Sequence, residues 1–286
     1  MRIAVVSDIH GNLPALEAVL ADIARSGADL TVNLGDIISG PLWPCETADR
    51  LMALALPTLR GNHECQLLTQ TRAQMSASDA HTDALLTPAQ REWLRSLPTE
   101  LWLAGDVYAC HGTPTSDLEY WLETVTPGFA RPGAPGIRMA SADEARARLG
   151  ARRDAKASLL LCGHTHVPRA LWLAPDMLVL NPGSVGLQAY DDARPYPHVV
   201  ENGSPHARWA LAERSLAGWR VELHAVAYDW EAAAQRAEAN ARPDWADALR
   251  SGFVGHFEAE LPPTRSLAKG WDQSPERAAK TGQGAG

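Results

Sequence analysis

The chain has 286 residues, room for one large α/β domain or two small ones, and its 45% hydrophobic and 21% charged content is that of an ordinary globular protein rather than a disordered or fibrous one. A formal net charge of −8 argues against a surface that coats nucleic acid, which needs a basic stripe. The opening MRIAVVSDIHGN holds too short an apolar run for a signal-peptide core, and no run approaches the roughly 18 apolar residues of a spanning helix. The expectation is a cytoplasmic protein with no membrane partner and with Cys45, Cys65, Cys110 and Cys162, which lack C-x-x-C spacing, as reduced thiols.

In chain order, RIAVVSD (2–8) reads as a strand. GNLPALEAVLADIARSG follows, with Leu16, Val19, Leu20 and Ile23 at helical spacing, then a second strand, DLTVNLGD (29–36). Together they predict a βαβ unit with parallel strands. A helix over CETADRLMALA leads to a third expected strand, LPTLRGNH (56–63), and a further helix lies around LTPAQREWLRSL. Strands are expected at DVYACHG (106–112), SLLLCGHTH (158–166) and MLVLNPGSVG (177–186), and RWALAER (208–214) with GWRVELHAVAYD (218–229) alternates as an antiparallel hairpin would, so the sheet is mixed. Residues 112–140 begin with turn chemistry, look briefly helical and end rich in Pro and Gly. Placed directly after His111, they are a candidate lid. From about Pro262 periodicity is lost, so the expected organisation is one unit over 1–261 and a disordered tail over 262–286.

The strand ends carry the chemistry. SDIH presents Asp8 and His10, GD presents Asp36, GNH presents Asn62 and His63, HG presents His111, and GHTH presents His164 and His166. In an open, mostly parallel sheet such ends gather on one rim. Residues i and i+2 of an extended segment point to the same side, which suits His164 and His166 for one centre. Imidazole, carboxylate and amide without thiolate fit borderline divalent ions and not a cysteine-built structural zinc. The set is too large for one ion and suits two. Two dications against Asp8 and Asp36 leave a locally positive cleft that attracts phosphate.

In their order, SDIHGN, GDIISGP, GNHE, HG and GHTH resemble the motif set of the calcineurin-like metallophosphoesterases over roughly residues 3–186. NPGSVG (181–186) makes the chain most similar to the small bacterial phosphodiesterases of that family. The resemblance implies a four-layer α/β/β/α sandwich and two divalent ions, manganese ahead of iron, nickel, cobalt or zinc. Asp8, His10 and His166 would hold one ion, Asn62, His111 and His164 the other, and Asp36 would bridge. His63 would contact the phosphoryl oxygen and assist the leaving group, while a hydroxide activated by both metals attacks phosphorus in line. The implied activity is hydrolysis of small phosphodiesters or nucleotides, with no nucleic-acid polymer as partner. The alternatives are a phosphomonoesterase or protein phosphatase, and a non-catalytic interaction module such as a retromer subunit of similar fold.

His81, His198, His206, His224 and His256 match no motif. Cys110 and Cys162 precede ligands, but alternation on buried strands accounts for them. Trp43, Tyr120 and Trp121 lie where they could stack on a nucleobase, with core packing as the default reading. Arg60 faces either a phosphate or a salt-bridge partner.

Overall fold

The structure is a computed structural model and describes residues 1–131, 133–150 and 156–257. β1 (Arg2–Val6) and β2 (Leu30–Asn33) pair in parallel around α1 (Leu13–Ser26), the expected βαβ unit. The Asn12 side chain accepts the Ala15 N–H to start α1, and Pro14 sits in its first turn, where a missing N–H costs nothing. α2 (Pro44–Leu54), α3 (Asn62–Thr69), α4 (Ala77–Asp83) and α5 (Pro88–Ser96) follow.

The third strand expected over 56–63 is corrected. It contributes a single parallel bridge, Asn33 to Thr58, and its last two residues open α3. Pro57, which cannot donate to a ladder, and the backbone bond from Arg60 N–H to Pro98 O hold it as a strap along the sheet edge rather than a ladder strand.

β3 (Glu100–Leu103), β4 (Val107–Cys110), the β5 (Glu123–Val125) and β6 (Ile137–Met139) hairpin and α6 (Ala142–Ala147) come next. The brief helix expected within 112–140 is therefore replaced by a two-stranded hairpin. β7 (Leu159–Leu161), β8 (Arg169–Ala174), β9 (Met177–Asn181), β10 (Ala189–Asp192), β11 (His198–Glu201), β12 (Ala207–Ser215), β13 (Gly218–Val226), α7 (Trp230–Ala239) and α8 (Pro243–Ser251) complete the described chain. The hairpin expected over 208–229 is β12 with β13. The tail expected over 262–286 lies outside the described residues.

Two mixed sheets stack, one ordered β13-β12-β1-β2 and the other β3-β4-β7-β9-β8. Strand alternation builds the layers. Ile3 and Val5 of β1 point between the sheets, against Val107, Ala109, Leu159, Leu161, Leu178 and Leu180. Ala4 and Val6 point outward to Leu16, Val19 and Ile23 of α1. On the far face of the second sheet, Tyr108, Cys110, Leu160 and Cys162 meet Trp121, Leu122 and Ala145. The result is a four-layer α/β/β/α sandwich. A further cluster joins α7 and α8 to Leu42, Leu187 and Val199. Among the described residues no helix is long and apolar enough to cross a membrane.

The loop after β9 closes tightly on the first βα turn. A Cβ at Gly186 would overlap the Ile9 carbonyl, which is backbone and cannot move aside. Gly186→Ala is expected to lower stability by about 3 kcal/mol, the upper end of ordinary overpacking. Urea unfolding checks it, and a loss under 1 kcal/mol would mean that the turn has slack.

Candidate metal centre

Seven side chains from five chain segments converge at one end of the sandwich. Asp8, His10 and His166 form one group whose ligand atoms lie within 4.8 Å of one another, and Asp36, His111 and His164 form a second. Asn62 joins the second group, its Oδ1 lying 3.0 Å from His111 Nε2. Asp8 Oδ1 lies 3.5 Å from His166 Nε2 and 4.0 Å from His111 Nε2, so the two groups adjoin. His10, Asp36, Asn62, His111 and His166 are all at most 5% exposed, and Asp8 is fully buried.

The backbone is distorted to present them. Asp8, His10, Asp36, His164 and His166 all have φ between 50° and 69°, in the left-handed region that side chains other than glycine seldom occupy. Among the described residues, five of the eight such non-glycine positions are at this site, and the other three are alanines. The motif glycines answer to close approach. A Cβ at Gly61 would overlap the Asp36 carboxylate, and one at Gly163 would overlap Ser7 Oγ.

The donors fit a pair of cations. His10 Nδ1 lies 2.8 Å from Ser39 O, His111 Nδ1 2.8 Å from Leu34 O, and His166 Nδ1 2.7 Å from Leu187 O. Each carbonyl must receive a proton from its Nδ1, which leaves Nε2 as the free lone pair, the arrangement by which outer hydrogen bonds aim imidazoles at a metal. His10 Nε2 and His166 Nε2 then face each other at 3.1 Å. Two lone pairs at that distance repel, and a shared cation relieves them. Likewise His111 Nε2 faces Asn62 Oδ1 and Asp36 Oδ2, the latter at 3.1 Å.

The electrostatics of the buried groups carry the same demand for positive charge. Burial and the neighbouring His166 hold His10 down to about 4, so it stays neutral. Burial and His111 hold His164 down to about 3. His111 is pushed up to about 9: burial opposes its protonation, but the Asp36 carboxylate outweighs it. Burial raises both carboxyls, yet Asp8 is held below the usual range by His166 and Asp36 well below it by His111 and His63. The two buried carboxylates thus favour positive charge among the histidines.

His63 stands apart from the seven. Its side chain is 24% exposed, and its ring centroid lies 5.4 Å from that of His10. As second residue of α3 it gives its unsatisfied helix N–H to Asp36 Oδ1 at 3.0 Å. Its Nδ1 donates to Asp79 Oδ1 at 2.9 Å. Burial disfavours its charge, but Asp79 and Asp36 push it up to about 10, so its Nε2–H is available as a donor.

Sequence reasoning missed the residues that hold this arrangement. Asp79 of α4 accepts from His63 and from Ser39 Oγ at 2.6 Å. The only signal near it, Ser76-x-x-Asp79, reads as a helix start. Glu64 accepts the N–H groups of Asp36, Ile37 and Gly61 at 2.8–2.9 Å, tying the Asp36 loop to the start of α3. Three rings, Tyr120 already considered for stacking and two not singled out, pack edge-on against the histidines. Tyr120 lies 4.9 Å from His164, Tyr190 4.8 Å from His166 and Trp245 5.9 Å from His10. Of the aromatics considered for stacking, Trp121 is core, donating Nε1–H to Ala145 O. Trp43 packs beside the α7–α8 cluster with Arg236 above its ring. Arg60 has no carboxylate partner among the described residues, and its Nε is buried without a hydrogen bond.

Comparison with known proteins accords with this geometry. The profile of the calcineurin-like phosphoesterases matches residues 1–168, and the chain belongs to that family, whose members use divalent metals. It is 25% identical over 265 residues to the uncharacterized protein MJ0912 of Methanocaldococcus jannaschii, covering 85% of this chain and 94% of that one. It is 39% identical over 77 residues to the phosphodiesterase YfcE of Escherichia coli K12, covering 23% of this chain and 42% of that one. The crystal structure of a metallophosphoesterase from Sphaerobacter thermophilus superposes with a TM-score of 0.65 at 25% identity, over 88% of this chain and all of that one. The coarse reading of the site is thus a hydrolase of phosphoesters.

Proposed function

We propose that the protein is a metal-dependent phosphodiesterase acting on small phosphodiesters or nucleotides. Asp8, His10 and His166 would hold one divalent ion, Asn62, His111 and His164 a second, and Asp36 would lie between them. The observation that carries this reading is the pair of adjoining ligand groups whose histidines have Nδ1 tied to carbonyls and Nε2 turned inward. When bound, the two ions supply positive charge for the phosphoryl oxygens and a water acidic enough to lose a proton near neutral pH.

The chain's own part is orientation and proton delivery. Asp79 fixes the His63 ring and its tautomer, leaving Nε2–H directed away from its anchor as a donor to a phosphoryl or leaving-group oxygen. Glu64 and the left-handed turns set the ligands before any ion arrives, so little reorganisation accompanies binding. A module that merely held a protein partner would have no use for a half-buried, carboxylate-anchored His63.

Protein stripped with chelator and reloaded with manganese should hydrolyse bis-p-nitrophenyl phosphate, and faster than p-nitrophenyl phosphate. At 100 times its dissociation constant, manganese should also raise the melting temperature by roughly 5–10 °C. Absence of turnover with every divalent ion tried would overturn the proposal. Faster monoester hydrolysis would favour a phosphomonoesterase.

A further inference from the structure

Beside the metal centre lies a cavity of about 350 Å³, within the ~300–1,000 Å³ typical of sites for small organic ligands. Leu118 and Tyr120 both line it. The same two residues brace His164, whose ring bonds the Leu118 backbone and meets the Tyr120 ring edge-on at 4.9 Å. The cavity therefore begins one side chain away from a residue placed at the second ion.

Its lining is amphiphilic and rich in acceptors. Leu118, 61% exposed, together with Val125 and Pro195 gives it apolar surface. Glu123 is buried with neither carboxylate oxygen in a satisfactory hydrogen bond, although the Thr165 hydroxyl lies close to it. Asp192 accepts the backbone N–H of Arg194 through Oδ1 at 2.9 Å, which leaves acceptor capacity over. The Arg148 guanidinium is engaged by the Trp121 and Glu123 carbonyls and the Thr124 hydroxyl at 2.8–2.9 Å. Arg148 Nε also lies 3.7 Å from Glu119 Oε1, so Arg194 is the one lining cation not engaged through its side chain among the described residues, set against Glu123 and Asp192. A second phosphate would meet carboxyls and no surplus of positive charge there. A neutral group that offers O–H or N–H donors and some apolar surface would be matched on both counts.

We propose that this cavity holds one organic substituent of the phosphodiester, a neutral hydroxylated moiety of nucleoside or sugar size, and so sets which esters reach the metals. The assignment rests on the phosphoesterase reading above and adds the substrate class to it.

Three p-nitrophenyl diesters test it: those of thymidine 5′-phosphate and glucose 6-phosphate, whose substituents fit the cavity, and methyl p-nitrophenyl phosphate, whose substituent leaves it empty. The manganese enzyme should favour one of the first two over the methyl ester by at least about tenfold in kcat/KM, and which one names the source. Val125→Trp, which fills the cavity, and Asp192→Asn, which keeps its shape but removes an acceptor charge, should bring that ratio towards one. As a readout independent of turnover, thymidine or glucose should show saturation transfer from the metal-free protein in ligand-observed NMR, and the signal should weaken in Val125→Trp. Hydrolysis of all three esters with no preference, a preference untouched in both variants, or no saturation transfer overturns the assignment alone. No hydrolysis of any ester removes the phosphoesterase reading and this assignment with it.

Discussion

Asp36→Asn is expected to abolish occupancy of at least one of the two ions and to lower kcat/KM by about a thousandfold. Asp36 is buried, its Oδ2 lies 3.1 Å from His111 Nε2 and its Oδ1 accepts the His63 N–H. Asparagine preserves the outline and removes the charge. One unit charge at about 4 Å in an environment of effective dielectric 20 is worth about 4 kcal/mol, or close to three decades in an equilibrium constant. A dication feels more than this, and the lighter desolvation of the amide gives part of it back. Metal content after gel filtration and steady-state kinetics check the result together. Two ions per chain in the variant would place Asp36 outside the ligand set.

His63→Ala is the second large effect. It should keep both ions and lower kcat by about 10²–10⁴, the usual contribution of a positioned acid. The ring donates through Nδ1 to Asp79 and to none of the seven residues that would hold metal. Asp79→Asn should then cost less than His63→Ala, because the imidazole remains but loses its anchor and the charge that favours its proton. The double variant should be no worse than His63→Ala alone, since Asp79 acts through the ring. Unchanged turnover in His63→Ala refutes the role, and additive losses in the double variant would give Asp79 an independent one.

The fold was legible where glycine-bounded apolar runs were strands with a helix between them, as in 2–36, and where alternation marked the β12–β13 hairpin. It was misread where backbone pairing depended on distant partners. LPTLRGNH has the composition of a strand, yet only Thr58 bridges, because Gly61 must pass against the Asp36 carboxylate and the chain turns at once into α3. The β5–β6 hairpin closes across a Pro- and Gly-rich stretch whose composition resembles that of a loop. At the site, every residue singled out from the motifs lies in or beside the two ligand groups, since motif residues touch one another through short loops. Asp79, Tyr190 and Trp245 were invisible because they arrive from α4, β10 and α8, elements with no self-announcing pattern, and reach the centre only through packing.

Five of the residues proposed to hold metal have φ between 50° and 69°, which would set the molecule's chemistry against its own durability. Each such residue costs on the order of 1 kcal/mol, so the five together amount to about 5 kcal/mol, comparable with the entire margin of a modestly stable domain. A descendant that abandoned catalysis and placed glycine at Asp8, His10, Asp36, His164 and His166 would shed that burden. Heat tolerance in this scaffold is therefore easiest to gain by giving up hydrolysis.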